Sequence, residues 1–251
     1  MALNFKKDIA PFLGLIVLWQ VISMSGLVNP MFLSSPLETA KEGSKLFAEG
    51  KIFVDLGYSF FRILYGFLLA FLIGVPLGLF LGYYGRIYGY LESLIDFFRS
   101  IPPILIFPLA LLIFGIGEQS RIAVIFFGCV SIMILNSSLG VIYSRKVRIN
   151  AARIMGARWY QIISRIVIFD ALPQIFVGIR VSLSMGIIIG IVTEMLVGAK
   201  YGLGSRVVYA QTAYATPELY FTIILVGLMG FAANRLLIAF ENRVVHWKYA
   251  A

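Results

Sequence analysis

Side chains that could do covalent or acid–base chemistry are few in this chain, and they are scattered. His246 is its one histidine and lies in a basic tail; Cys129 is its one cysteine and sits inside an apolar run. An intrachain disulfide, a cysteine metal site and a Ser/His/Asp constellation therefore lack their parts. No GxxxxGK[ST] pattern occurs, so the chain carries no phosphate-cradling loop of that kind. Glu194 is the one acid inside an apolar run long enough to cross a membrane, and intramembrane ionisable groups are functional suspects because desolving them is costly. It lies near the outer end of that run, where a helix-end role competes evenly with gating. Ser131, Asn136, Ser137 and Ser138 make the run 122–143 the most polar in its centre. They either line a pathway or hydrogen-bond between helices. Arg180 lies near the inner end of its run and is expected to snorkel to headgroups.

The elements that must position these residues follow from composition. Hydrophobic residues make up 60% of the 251, and charged residues 13%. Uncharged apolar runs of about 20 residues match the hydrocarbon thickness at 1.5 Å of helix rise per residue. The short alternating segments of a membrane β-barrel are absent from the sequence. The chain reads as an all-α integral membrane protein with six spans, near 9–28, 60–84, 101–116, 122–143, 175–197 and 220–240. The first is too long for a signal-peptide core and is expected to be retained. The third carries Pro102, Pro103 and Pro108 and is expected to begin as a broken helix. A natural division is an N-terminal span and outer loop (1–59), a core of five spans with the 145–173 loop (60–240) and a tail (241–251).

Charge sets the orientation. With the N-terminus inside, Lys6, Lys7, Arg86, Arg99, Arg145, Lys146, Arg148, Arg153, Arg158, Arg165, Arg243 and Lys248 face the cytoplasm. Lys41, Lys45, Lys51, Arg121, Lys200 and Arg206 face out. The positive-inside rule thus puts both termini and the 145–173 loop in the cytoplasm. The net charge of +9 is explained by topology and anionic lipid rather than nucleic acid. The outer loop 29–59 mixes acids and lysines at spacings of three and four, which suits a short solvated helix or a docking surface for an external protein. Gly74, Gly78 and Gly82 recur every fourth residue, as do Gly186 and Gly190. Such stripes let two helix backbones approach closely, within one chain or across a homodimer seam.

The segment 145–173, RKVRINAARIMGARWYQIISRIVIFDALP, is basic and helix-competent between two apolar runs. Asn150 is expected to cap a helix running through Ala151, Ala152 and Arg153 to Gly156 and Ala157, its small residues presented to another surface. Trp159, Ile162, Ile163 and Ile166 form the stripe of a second helix, which Leu172 and Pro173 should end. From these residues alone, a lipid anchor and a protein-docking knob are equally good readings.

In order and spacing the segment resembles the cytoplasmic signature of ATP-binding-cassette importer permeases: Glu-Ala-Ala, three residues, Gly, nine residues, Ile, one residue, Leu-Pro. Here Asn150, Ala151, Ala152, Gly156 and Ile166 fall at those places. The signature Glu is replaced by Asn150, and its Leu-Pro by Ile168 and Phe169, with a Leu-Pro four residues on at Leu172 and Pro173. RSIPP ending at Pro103, FPL from Phe107, FGIG ending at Gly117, GIR ending at Arg180, Glu194 with Met195, and YGLG ending at Gly204 resemble the nitrate/sulfonate/taurine/bicarbonate subgroup. The resemblance implies a permease subunit that works as a homodimer, carries cytoplasmic ATPase subunits that hold ATP and Mg, and is fed by an external solute-binding protein. It implies that Asn150, Ala151, Ala152, Arg153, Gly156 and Ala157 form a coupling helix on the ATPase. It gives the chain itself no catalytic residue and no cofactor. The rival reading is a secondary transporter or channel working without an ATPase; deep carboxylates in several spans or an inverted repeat would favour it, and the sequence has neither.

Overall fold

The structure is a computed structural model that describes residues 5–29, 31–144, 146–196 and 199–249. Arg145, which opens the basic segment, Val197, which closes the expected fifth span, and the chain's first four and last two residues lie outside the described residues. The described residues form helices α1 (Phe5–Met24), α2 (Pro36–Ala48), α3 (Lys51–Tyr83), α4 (Gly85–Ser100), α5 (Phe107–Phe114), α6 (Glu118–Ile142) and α7 (Lys146–Ile154). They continue with α8 (Trp159–Ile162), α9 (Ile168–Met195), α10 (Leu203–Thr212) and α11 (Thr216–Val244).

The tightest seam is between α3 and α6, and it is made by what the sequence leaves out. A methyl on Gly74 would meet Val130 O at 3.1 Å; on Gly78, Ile134 O at 2.5 Å; on Gly82, Ser138 O at 2.6 Å. The stripe extends upward through Ala70, fully buried, to Gly66, whose methyl would lie 2.6 Å from Ile125. Backbones in such contact gain dispersion and weak polar contacts that bulkier residues forbid. Gly186 and Gly190 do the same for α9, against Cys129, Ile125 and Ile63. Both glycine stripes are therefore seams inside one chain.

Four helices are long and apolar enough to cross a membrane among the described residues: Lys51–Tyr83, Glu118–Ile142, the continuous Trp159–Met195 and Thr216–Val244. A fifth crossing is available if α4 and the Pro103–Phe114 segment count as one, bent by 83°. The break falls at Ile101 and Pro102, both extended, because Pro102 and Pro103 have no N–H to continue the helix and push their predecessors out of the α region. The broken third element was expected; its helical first half was not. Arg86, Glu92, Asp96 and Arg99 lower the hydropathy of α4 and hid it. The apolar part of α1, Ala10–Met24, is shorter than a full crossing. Its side chains are exposed along most of its length, and Trp19 secures its end, donating Nε1–H to Ser34 O at 2.9 Å and stacking on Tyr220 at 5.6 Å.

Other boundaries move as well. The 59/60 division falls inside α3 and the 240/241 division inside α11. Leu172 and Pro173 do not end a helix: Trp159–Met195 runs through them, with a π-helical turn at Ile163–Val167. Val167, Ala171, Ile175 and Phe176 are buried on both sides of Pro173, and that packing outweighs one missing N–H. In the outer loop, α2 begins with a reciprocal cap in which Glu38 N–H donates to Ser35 Oγ and Ser35 N–H to the Glu38 carboxylate. The Ser35 N–H holds the Glu38 carboxyl below the usual range. The other face of α2 is buried on α11, where a methyl on Gly43 would strike the Phe221 ring at 2.3 Å.

Candidate functional sites at the two ends of the bundle

At one end, α7 folds as a short knob. Its C-terminus is a complete Schellman stop: Gly156 at φ +79° donates to Arg153 O, and Ala157 N–H to Ala152 O, both at 3.0 Å. The left-handed residue explains the glycine, because a side chain there is strained although the space around it is open. Val147, Ile154 and Met155 stand 79–87% exposed on this knob, and Asn150, Ala151 and Arg153 are exposed as well. Two expectations are corrected here. Asn150 is not the helix cap; α7 starts at Lys146 and Asn150 lies within it. Ala152 does not face outward: it is 4% exposed and part of the main core, with Ala157 packed against the same core. Its neighbours Ala151 and Arg153 turn outward because 100° of helical rotation separates successive residues. A second contact holds the knob: Arg148 Nη1 lies 2.5 Å from Asp170 Oδ1 on α9. On the same side Arg180 pairs with Glu241 of α11 at 3.5 Å, so the arginine reaches a carboxylate rather than headgroups alone.

At the opposite end, Asp55, Ser59 and Arg62 lie on one face of α3, and all three are buried. Arg62 donates Nη1–H to Glu194 at 2.8 Å and to Tyr201 O at 2.7 Å, and Nη2–H to Glu118 at 2.7 Å, with Nε–H also on Glu118. Glu194 accepts further bonds from Ser59 Oγ at 2.7 Å and Gly204 N–H at 2.9 Å. Leu203 N–H donates to Ser59 Oγ at 2.8 Å, and Gly202 N–H to Asp55 at 2.9 Å. Three successive N–H groups at the start of α10 are thus met by two acids and a hydroxyl from distant helices, satisfying donors that a helix start leaves open. Arg206 of α10 then clamps Asp55 at 2.5 Å and Glu218 of α11 at 2.6 Å. Burial opposes the Arg206 charge, and the hydrogen bonds and charges of Asp55 and Glu218 together outweigh it, holding its pKa above the usual value.

The glycines of YGLG follow from this geometry. A methyl on Gly202 would lie 2.6 Å from the Glu194 carboxyl, and one on Gly204 2.2 Å from Ile191 O. Of this network, the sequence singles out Glu194 and, through the resemblance, the YGLG turn. Asp55 falls in the outer loop expected at 29–59, and Arg62 falls within the span expected at 60–84. The Asp55, Ser59, Arg62 spacing of four and three was the available signal; the partners from α6, α9 and α10 were not. Beside the network, Glu42, Glu49, Lys51, Lys200, Tyr209 and Glu218 line a cleft of about 670 Å³ open to solvent.

The polar centre of α6 lies between these ends. Ser138 Oγ donates to Gly78 O at 3.0 Å and to Ile134 O at 2.8 Å. Asn136 donates to Ile132 O and accepts from Gln174 at 3.1 Å. Ser137 is buried on the α3 seam against Gly78, and Ser131 is half-buried. These residues are not brought together with Glu194 or with α7. His246 is exposed.

Comparison with known proteins agrees with this architecture. The family model described as binding-protein-dependent transport system inner membrane component matches residues 74–246. A probable ABC transporter permease protein of Brucella abortus (strain 2308) is 31% identical, over 93% of this chain and 92% of its own. The taurine transport system permease protein TauC of Escherichia coli (strain K12) is 29% identical, over 93% and 86%. Among solved structures, an inward-facing form of the MetNI methionine ABC transporter superposes with a TM-score of 0.65 at 21% identity, over 76% of this chain and 93% of that one.

Proposed function

Because this chain belongs to the family of binding-protein-dependent transport system inner membrane components, we propose that it is the membrane-spanning subunit of an ATP-driven importer. It carries a small polar solute of the sulfonate, taurine, nitrate or bicarbonate class into the cytoplasm by alternating access. Two copies form the pathway, α1 and the bent α4–α5 pair bring the membrane-inserted elements to six, and both termini face the cytoplasm of a bacterial inner membrane. A separate polypeptide binds ATP and Mg. An external solute-binding protein delivers cargo to the end where α10 lies. Glu194 and the polar residues Ser131, Asn136 and Ser137 are the pathway-side candidates.

One observation carries the reading. The α7 knob is closed by its Schellman stop, yet Val147, Ile154 and Met155 stand 79–87% exposed on it. Exposed apolar side chains on a preorganised helix suit insertion into a groove of another protein, with little ordering entropy to lose. Asn150, Ala151, Arg153 and Gly156 border that surface, while Ala152 and Ala157 hold it from behind. A photo-crosslinker at Ala151 should reach a P-loop ATPase that co-purifies in detergent. Crosslinks to lipid alone would refute the docking.

A further inference from the structure

We infer that the Arg148–Asp170 ion pair is the positioning contact through which α7 drives α9; this rests on the importer reading above. Besides the packing of Ile149, Ala152 and Ala157 on the core, two routes join the helices. The covalent one passes through the left-handed Gly156, the connection to Trp159 and the π-helical turn at Ile163–Val167. Each is a place where backbone torsions absorb displacement. The ion pair bypasses all three. It joins the first half of α7 to Asp170, beyond the π turn, on the unbroken part of α9.

From Asp170 the same helix continues 24 residues to Glu194, about 36 Å at the α-helical rise. There it meets Arg62. A push on α7 delivered at Asp170 therefore reaches the polar network at the far end through one stiff element. Ile149, Ala152 and Ala157 give α7 an apolar seat on the core, so the ion pair is not what keeps it folded. The Arg148 side chain is 55% exposed and that of Asp170 13%, a setting in which an ion pair adds little to stability. Its geometry is nonetheless directional. The second oxygen of Asp170 is buried and makes no hydrogen bond among the described residues, so Arg148 is the contact that fixes the carboxylate.

The test uses the full complex with its co-purifying ATPase, in nanodiscs. Nitroxide labels are placed through Arg158→Cys, exposed at the C-terminal edge of the α7 knob (the α7 label), or Met195→Cys on α9, and their spectra are compared before and after Mg–ATP with vanadate. In the parent complex both labels should respond. With Arg148→Gln or Asp170→Asn, the α7 label should respond as before, while the α9 response falls about fivefold, the scale of a coupling change. The exchanged pair, Arg148→Asp with Asp170→Arg, should recover it. An unchanged α9 response in both single variants, with α7 still responding, overturns the inference and leaves the importer reading intact. No α7 response in the parent complex overturns both. Should Asp170→Asn fail to assemble, Arg148→Gln, at the exposed partner, decides alone.

Discussion

The two ends of the bundle hold their polar residues in opposite ways. At the α7 end charge and apolar surface are exposed, and the helix is closed by local hydrogen bonds within six residues of chain. At the α10 end carboxylates and guanidiniums from α3, α6, α9, α10 and α11 are pulled inward and satisfy one another across intervals of up to 151 residues. The first arrangement leaves binding energy for a partner. The second spends it internally, locking the helix ends together. The proposed importer, driven from one side and moving at the other, would use both: a surface that can be gripped, and a joint whose rearrangement is resisted until force arrives.

Four substitutions probe the two ends and the seam between them, in falling order of effect. Arg62→Met strands the buried Glu194 carboxylate, and should lower stability by about 3–5 kcal/mol, read as a large drop in melting temperature of the detergent-purified chain. An unchanged melt would mean that the network is not a joint at all. Gly204→Ala places a methyl on the Ile191 carbonyl, and Gly78→Ala one on that of Ile134. Each should cost about 1–3 kcal/mol through overpacking, measured in the same way. If Gly78→Ala were neutral, the α3–α6 seam would be looser than its distances imply. Gly156→Leu meets open space and pays only for the left-handed backbone, about 1–2 kcal/mol within the cap. It should leave the melt nearly unchanged while reducing recovery of the ATPase in a pull-down, which is the reverse of the Arg62→Met pattern. Full ATPase recovery with Gly156→Leu would show that docking does not use this tip.

How far these features could be read in advance depended on whether their partners were close in sequence. Gly156, Ala151 and the helix around them were visible because a helix of nine residues and its glycine stop are local events. The facing of Ala152 was not, since the side of α7 that meets the core depends on where α9 lies. The α4 half of the broken element was concealed by its own charges, which sit on one side of an otherwise apolar helix. Pro173 looked like a stop because a missing N–H is a local penalty, and the burial of Val167, Ala171 and Phe176 that offsets it is not written in the neighbouring residues.

By itself, the amino-acid sequence determined that this is a helical membrane protein, where its apolar runs lie, and where a basic knob interrupts them. Hydropathy and capping act over a turn or two of helix, so one stretch of chain suffices to express them. Tertiary structure alone decided that Asp55, Ser59, Arg62, Glu118, Glu194, Arg206 and Glu218 meet, that YGLG exists to let a helix start approach two buried acids, and that Arg148 reaches Asp170. Charges separated by a hundred residues acquire partners only when packing brings their helices together, and it is the low dielectric of that packed interior which makes the pairing obligatory.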